Sequence, residues 1–247
     1  GASTEEAQAN VSIEVAEQVL AVLQGKPAQH AVNAPMVLPE AMTLLAPFVQ
    51  VGHMVGKVAT QLSDGQLKSV EISYAGEISL QDTSFLKAAV IGGLLAPISE
   101  ERVNVVNVNT IIKQRGMKVL DTKKETAETY RNLLTIEVTT DKGTTTISGT
   151  NVMGRSHIMQ VNDYWLDITP GDGYMLLIEN SDQPGMIGAV GTLAGRNDVN
   201  ISFMEVGRLE KRGRAIMILG LDEPLPERAI KNISEMSGIF SVKQATV

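Results

Sequence analysis

The sequence predicts an α+β protein with two folded domains, and three observations support this fold class. A chain of 247 residues with 43% hydrophobic and 20% charged residues has the length and balance of a soluble globular protein. Helical patterns dominate the first half, and strand-like runs follow between residues 118 and 168. A segment rich in glycine and proline, residues 169–173, then separates this part from a second series of strands and helices, so we place the domain boundary there.

Two long helices are predicted at the start of the chain. Residues 5–24 place valines along one stripe, and a glycine and a proline just beyond them end that helix. An irregular linker with two prolines follows at residues 28–39. The second helix covers residues 40–62, and Pro47 predicts that its first part is kinked or separate.

The middle part combines shorter helices, at residues 82–95 and 109–114, with strand-like runs. These runs are rich in β-branched residues and cover residues 70–74, 118–122, 133–140, 144–150, 157–161 and 164–168. Residues 141–143 and 162–163 are turn sequences of the kind that join antiparallel strands. The pattern therefore predicts an α+β domain with an antiparallel sheet.

The last part shows a regular alternation of strands and helices. The predicted strands are residues 174–179, 199–208, 214–221 and 239–247, and the predicted helices are residues 184–194 and 226–237. Their order is β-α-β-β-α-β, which is the ferredoxin-like order. Between the middle strands lies a basic turn with Arg208, Lys211, Arg212 and Arg214, a pattern that most often indicates solvated surface charge.

Composition excludes several classes of function. The net charge of −7 speaks against nucleic-acid binding, which needs a basic surface. The chain has no cysteine, so disulfides, thiolate catalysis and cysteine-bound clusters are excluded. The three histidines are far apart and lack the spacing of metal ligands, and the longest apolar run is too short to cross a membrane. We therefore expect neither a metal site, a nucleic-acid partner nor a membrane partner.

One loop, between the first strand and the first helix of the last part, has the chemistry of an amino-acid site. The N–H groups at the start of a helix attract a carboxylate, a carboxylate such as Asp182 can accept from an ammonium group, and a glycine lets a ligand approach the backbone. The candidate effector-binding residues are Asn180, Asp182, Pro184, Gly185, Ile187 and Asn200. The alternative is structural: Asp182 caps the helix, and Asn200 is an ordinary turn residue before a strand.

Several segments of the sequence resemble two known families. The segments ENSDQPG (179–185) and VNI (199–201) resemble an ACT domain, a small ligand-sensing domain with the ferredoxin-like fold. The opening GASTEEAQ, AVNAPMV (31–37), VNVVNVNTIIKQRG (103–116) and SGTNVMGRSHIMQVNDYWLDI (148–168) resemble D-3-phosphoglycerate dehydrogenase, in that family's order. The resemblance implies that residues 1–32 end the catalytic region, residues 33–170 form an intervening regulatory domain and residues 173–247 form the ACT domain.

The resemblance also implies a function for the whole protein. The family oxidises 3-phospho-D-glycerate to 3-phosphohydroxypyruvate with NAD, the first step of L-serine synthesis, in the cytoplasm or, in plants, the plastid stroma. Its catalytic histidine precedes the GAST segment and its NAD-binding domain is not in this sequence, so we expect a fragment that is inactive by itself and holds no cofactor. L-serine is the implied effector, bound between the ACT domains of two chains in a homo-oligomer.

Some family members hold a second anion in the middle domain, and the candidate residues in this chain are Arg155, His157, Lys113 and Arg115. The alternative for these four residues is ordinary solvated surface charge. The glycines at 188, 191 and 195 have the wrong spacing for a dinucleotide loop, so we interpret them as small residues that allow close packing of helix on sheet.

Two other functions are open to such a chain. The first is that of a sensing module in another enzyme, of which a serine dehydratase is the nearest example. The second is that of a purely structural dimerisation module. The GASTEEAQ opening favours the dehydrogenase family over the dehydratase. The dimerisation module predicts no ligand at Asp182.

Overall fold

The computed structural model describes residues 4–23, 39–171 and 173–247. The linker predicted from residue 28, the AVNAPMV segment and the end signals of the first helix lie outside the described residues. The chain divides into two compact units, residues 1–36 and 37–247. Within the described ranges, no helix has both the length and the apolar character needed to cross a membrane.

The described part of the first unit forms the helix α1, Glu5–Leu23. The Thr4 hydroxyl accepts a hydrogen bond from the Ala7 N–H at 3.2 Å and so caps the first turn. None of the residues of α1 is buried, and the valines of the predicted apolar stripe are about half exposed: Val11, Val15, Val19 and Val22. The described residues of this unit therefore leave the predicted apolar stripe uncovered.

The second unit begins with a mixed sheet and its helices. These elements are α2 Pro39–Leu62, β1 Leu67–Gly76, α3 Ser84–Leu95, α4 Val108–Gln114, β2 Lys118–Lys124, β3 Asn132–Thr140, β4 Thr144–Val152, β5 Arg155–Val161 and β6 Tyr164–Ile168. The strand order is β2-β1-β3-β4-β5-β6. All pairs are antiparallel except β1 with β2, which are parallel. The predicted antiparallel sheet differs at this pair because α3 and α4 form a crossover that returns the chain to the same end of the sheet.

Helices α2 and α3 pack closely against each other over one face of this sheet. A Cβ atom at Gly56 would overlap the carbonyl of Val90, and a Cβ atom at Gly93 would overlap the carbonyl of His53, so glycine is required at both positions. Helix α2 continues through Pro47 as one helix, and so the separate first part that the sequence allowed is not formed.

A second, four-stranded sheet completes the unit. Its elements are β7 Tyr174–Ser181, α5 Met186–Arg196, β8 Ile201–Arg208, β9 Arg214–Leu221, α6 Glu227–Ser234 and β10 Ile239–Thr246. The strand order is β10-β7-β9-β8, and all pairs are antiparallel, which confirms the predicted ferredoxin-like fold. Pro226 was predicted inside the first turn of α6, but it lies one position earlier, at the N-cap.

Both faces of the second sheet are covered. Leu176, Ile178, Met217 and Leu219 pack with residues of α5 and α6 in one core. Met175, Leu177, Ile216 and Ile218 point the other way and belong to the same core as the first sheet. The two sheets therefore share buried surface, and residues 37–247 form one compact unit although the chain folds as two sheets.

Helix α2 also holds the edge strand β10 by polar contacts. The Gln61 amide donates to the Thr246 carbonyl at 2.8 Å, and its oxygen accepts from the Thr246 N–H at 2.8 Å. The Lys57 ammonium donates to the Val247 carbonyl at 2.8 Å. Gln61 thus pairs with β10 as another strand would.

Candidate functional site

The predicted effector loop lies where β7 leaves the second sheet. Helix α5 begins at Met186, so Pro184 precedes the helix, whereas the sequence predicted it in the first turn. Gly185 is the N-cap and has a φ of 94°, in the left-handed region that favours glycine. A Cβ atom at Gly185 would meet nothing within 4 Å, and the side chain of Ile187 is 52% exposed. The start of α5 is therefore open to a ligand.

Asn180 contributes a buried polar group to this end of the sheet. It is 3% exposed, and its side chain lies on the same sheet face as Leu176 and Ile178, beneath the helices. The Nδ2 atom donates to the Ser181 carbonyl at 2.8 Å, but the Oδ1 atom has no hydrogen-bond partner among the described residues. A buried acceptor without a partner costs about 1–3 kcal/mol, so a ligand donor that reaches Oδ1 gains binding energy.

Asp182 is held against the β8–β9 hairpin. Its Oδ2 atom accepts from the Arg212 N–H at 3.0 Å and from the Arg208 guanidinium at 3.2 Å. Its own N–H donates to the Gly213 carbonyl at 2.8 Å. The hydrogen bond from the Arg212 backbone, followed by the contacts with Arg208, keeps the pKa of Asp182 below its ordinary value. The carboxylate is thus ionised at neutral pH and ties the loop to the hairpin.

Arg208 and Arg212 of the basic turn predicted as solvated charge contact this site, whereas Arg214 lies on the opposite face of the sheet. Arg208 and Arg212 contact Asp182, and Arg214 forms an ion pair with Glu179 at 2.9 Å. Finding these contacts from the sequence would have required the register of β7 with β9, in which Ser181 pairs with Arg214. That register brings the end of the first strand next to the hairpin.

Asn200 lies at the other end of the same sheet. It precedes β8, and its Nδ2 atom donates to Asp222 at 2.7 Å. Ile201 pairs with Leu221, which pairs with Tyr174 at the start of β7, whereas Asp182 follows the end of that strand. An eight-residue strand spans about 23 Å, so a single chain does not bring Asn200 and Asp182 together.

The structure also separates the four residues of the predicted anion site. Arg155 and His157 are in β5, and His157 Nδ1 lies 2.6 Å from Asp167 Oδ1. Arg115 lies just before β2 and donates to Ser99 at 2.8 Å and Glu101 at 3.2 Å; Lys113 is exposed on α4. Because β2 and β5 are four strand positions apart, about 19 Å separates the two pairs. An anion site at Arg155 and His157 stays a prediction.

Arg155 lines an open depression of about 320 Å³ together with residues from α2 and from the segment before β7. Its polar lining includes Gln50, Ser156 and Thr169. Among the described residues, no group of three or more histidine, aspartate or glutamate side chains is arranged to hold a metal ion.

The glycines of α5 do not have the packing role that the sequence predicted. A Cβ atom at Gly188, Gly191 or Gly195 would meet nothing within 4 Å. These residues therefore face open space and not the sheet, because the apolar face of α5 is formed by Met186, Val190 and Ala194.

The described fold, a six-stranded sheet followed by a four-stranded sheet with two helices, belongs to the class of enzyme regulatory regions, and comparison with known proteins supports this. Residues 44–162 match the family model of the D-3-phosphoglycerate dehydrogenase intervening domain. D-3-phosphoglycerate dehydrogenase of Bacillus subtilis is 34% identical over 244 residues, which cover 98% of this chain and 46% of that protein. The enzyme of Synechocystis is 38% identical over 241 residues, 97% of this chain and 43% of that protein.

The chain therefore belongs to the D-3-phosphoglycerate dehydrogenase family and corresponds to its C-terminal regulatory region, as the sequence resemblance implied. It spans about half the length of the relatives that it matches. Among solved structures, the ACT domain from the GTP pyrophosphokinase of Chlorobium tepidum aligns with 30% of this chain and 99% of that chain, at 17% identity and a TM-score of 0.25.

Proposed function

We propose that this chain is the regulatory region of an NAD-dependent D-3-phosphoglycerate dehydrogenase and that it senses L-serine at the end of β7. In this proposal the whole protein oxidises 3-phospho-D-glycerate to 3-phosphohydroxypyruvate. The oxidation and the binding of NAD depend on residues outside this chain, so the chain by itself regulates and does not catalyse.

The observation that carries the proposal is the buried Oδ1 atom of Asn180, which has no partner among the described residues and lies on the sheet face that α5 and α6 cover. Three groups with different preferences lie at or just after the end of β7. The N–H groups at the start of α5 favour a carboxylate, Asp182 favours an ammonium group, and Asn180 accepts a hydrogen bond from a donor such as a hydroxyl. A small hydroxylated amino acid offers all three complementary groups.

A second copy of the chain would complete this site. Strand β8 is an edge of its sheet, and an exposed edge pairs readily with another strand. If β8 of two chains pair antiparallel about a twofold axis, the start of one β8 lies beside the end of the other. Asn200 of one chain then approaches the loop with Asp182 of its partner, which accounts for their separation within one chain. We therefore propose a homodimer or a higher oligomer.

Calorimetric titration of this chain with L-serine, D-serine and glycine tests the proposal. We expect saturable binding of L-serine and weaker binding of glycine, which lacks the hydroxyl that reaches Asn180. Asp182→Asn keeps an acceptor for the Arg212 N–H but removes the charge, and should abolish or strongly weaken binding.

Sedimentation of the same samples provides the control for assembly. A folded dimer that binds none of the three amino acids at millimolar concentration would contradict the sensor and favour the dimerisation module. A monomer that binds L-serine with full affinity would contradict the shared site and leave the sensor in place.

A further inference from the structure

Arg208 contacts Asp182 of the proposed effector site from the edge strand β8. In the sheet register it pairs with Ala215, which pairs with Asn180, so the three residues form a row across β8, β9 and β7. Residues directly opposite in antiparallel strands point to the same face, and Arg208 therefore shares the helix-bearing face with Asn180. Its neighbour Gly207 confirms the direction, because it faces Leu166 on the other side of the sheet. Two strand spacings put Arg208 about 10 Å from Asn180.

The two donors on Asp182 Oδ2 differ in how easily a ligand can replace them. The Arg212 N–H belongs to the backbone of a turn, where Arg212 has a φ of 61° and the Asp182 N–H is bound to the Gly213 carbonyl. The Arg208 guanidinium is at the end of a long side chain that is 54% exposed, and its bond is longer, 3.2 Å against 3.0 Å. An ammonium group that approaches Asp182 can displace Arg208 but not the backbone donor.

We propose that Arg208 occupies, in the effector-free chain, the place at Asp182 that the ammonium group of the effector takes, and that this competition sets the affinity of the site. The inference rests on the proposed function, since it concerns the same loop. The effector's carboxylate does not need Arg208, because the N–H groups at the start of α5 serve it. Arg208 is thus a positioning residue that lowers affinity, and its removal should strengthen binding.

The test is titration of L-serine into the chain with Arg208→Gln, which keeps much of the side-chain stem and removes the charge. An exposed ion pair is worth a small amount, so we expect Arg208→Gln to bind L-serine about two- to fivefold more tightly. Arg208→Lys, which retains a cation, should stay near the parent affinity. Arg196→Gln is the charge-matched control, because Arg196 ends α5 away from its start.

Each outcome separates this inference from the proposed function. If the parent chain binds L-serine and Arg208→Gln binds equally or more weakly, the competition is wrong while the sensor stands. If Arg208→Gln binds where the parent does not, the competition is supported. If no variant binds, both ideas fail. Arg208→Met offers the same comparison should the glutamine variant not fold, as judged by its thermal unfolding.

Discussion

Asp182 illustrates at the scale of one residue how a proposed binding group can also be a structural group. Its carboxylate satisfies the Arg212 N–H in a turn whose residue has the unusual positive φ of 61°. The sequence alone predicts Asp182 in a candidate effector loop but not on the hairpin, since Arg208 and Arg212 are distant from it in sequence. Only the strand register of β7 with β9 connects them.

We expect Asp182→Ala to unfold at a lower urea concentration than Asp182→Asn, because only the asparagine keeps an acceptor for the Arg212 N–H. Urea unfolding followed by circular dichroism checks this order. Equal midpoints for the two variants would mean that the hairpin does not depend on the acceptor.

The acidic limb of stability gives a second prediction for the same residue. The pKa of Asp182 is lower in the folded chain than its ordinary value, so ionised Asp182 stabilises the fold at neutral pH. That contribution is fully present well above the ordinary pKa of aspartate, about 3.9, and is lost as the pH falls through the lower folded value. The difference in urea midpoint between the parent and Asp182→Asn should therefore shrink as the pH falls below about 4. A difference that stays constant down to about pH 2 would exclude the ionised form as its cause.

At the scale of elements, the contact between α2 and α3 depends on two glycines. A Cβ atom at Gly93 would overlap the backbone carbonyl of His53. This overlap can be relieved only if α2 and α3 move apart. Gly93→Ala should therefore destabilise the chain by about 1–3 kcal/mol, the usual cost of overpacking. Gly191→Ala in α5 is the matched control, because a Cβ atom there meets nothing within 4 Å and alanine should gain up to about 1 kcal/mol. Urea unfolding of both variants measures the change in the free energy of unfolding, which should be a loss for Gly93→Ala and a gain for Gly191→Ala.

The clamp of Gln61 on β10 is testable by hydrogen exchange. The Thr246 N–H is bound to the Gln61 side chain at an edge strand, so Gln61→Leu should increase the exchange rate at Thr246 more than at the central strand β9. Gln114→Leu, at the end of α4, should leave that rate unchanged. An unaltered rate in Gln61→Leu would mean that the edge is protected by other contacts.

Element order was largely predictable because hydrophobic periodicity and turn residues are local signals. The four strands and two helices of the second sheet follow the predicted order, and Asp141–Gly143 and Asn162–Asp163 do join antiparallel strands. The parallel pairing of β1 with β2 and the site of close glycine packing were not predictable in this way. Both depend on which distant element packs or pairs with the segment, and the local sequence pattern does not specify that element.

At the scale of the whole molecule, the shared core was the main feature that sequence reasoning missed. The domain boundary predicted at residues 169–173 stays a prediction, but it does not anticipate that both faces of β7 and β9 are apolar. Such nearly continuous apolar strands are typical of sheets buried on both sides, which was the available signal. The second face meets the first sheet, and so residues 37–247 form one compact unit.

The shared core predicts that both sheets unfold together. Trp165, the single tryptophan of the chain, reports on the first sheet. In the double variant Trp165→Phe with Phe240→Trp, the probe moves to β10 in the second sheet, at a side chain that is 55% exposed. The fluorescence midpoints in urea should coincide for the two proteins, and clearly separate midpoints would show that the sheets unfold independently.

The two-sided burial of the second sheet also limits how freely residues 173–247 can be exchanged between proteins. Transplanting residues 173–247 to another host would leave Met175, Leu177, Ile216 and Ile218 facing water, since their partners belong to the first sheet. A graft that is meant to confer ligand sensitivity must therefore carry α2 and β6 with it, or replace those four side chains by polar ones. The natural unit of transfer is the pair of sheets, and recombination within residues 169–173 should yield aggregation-prone chimaeras.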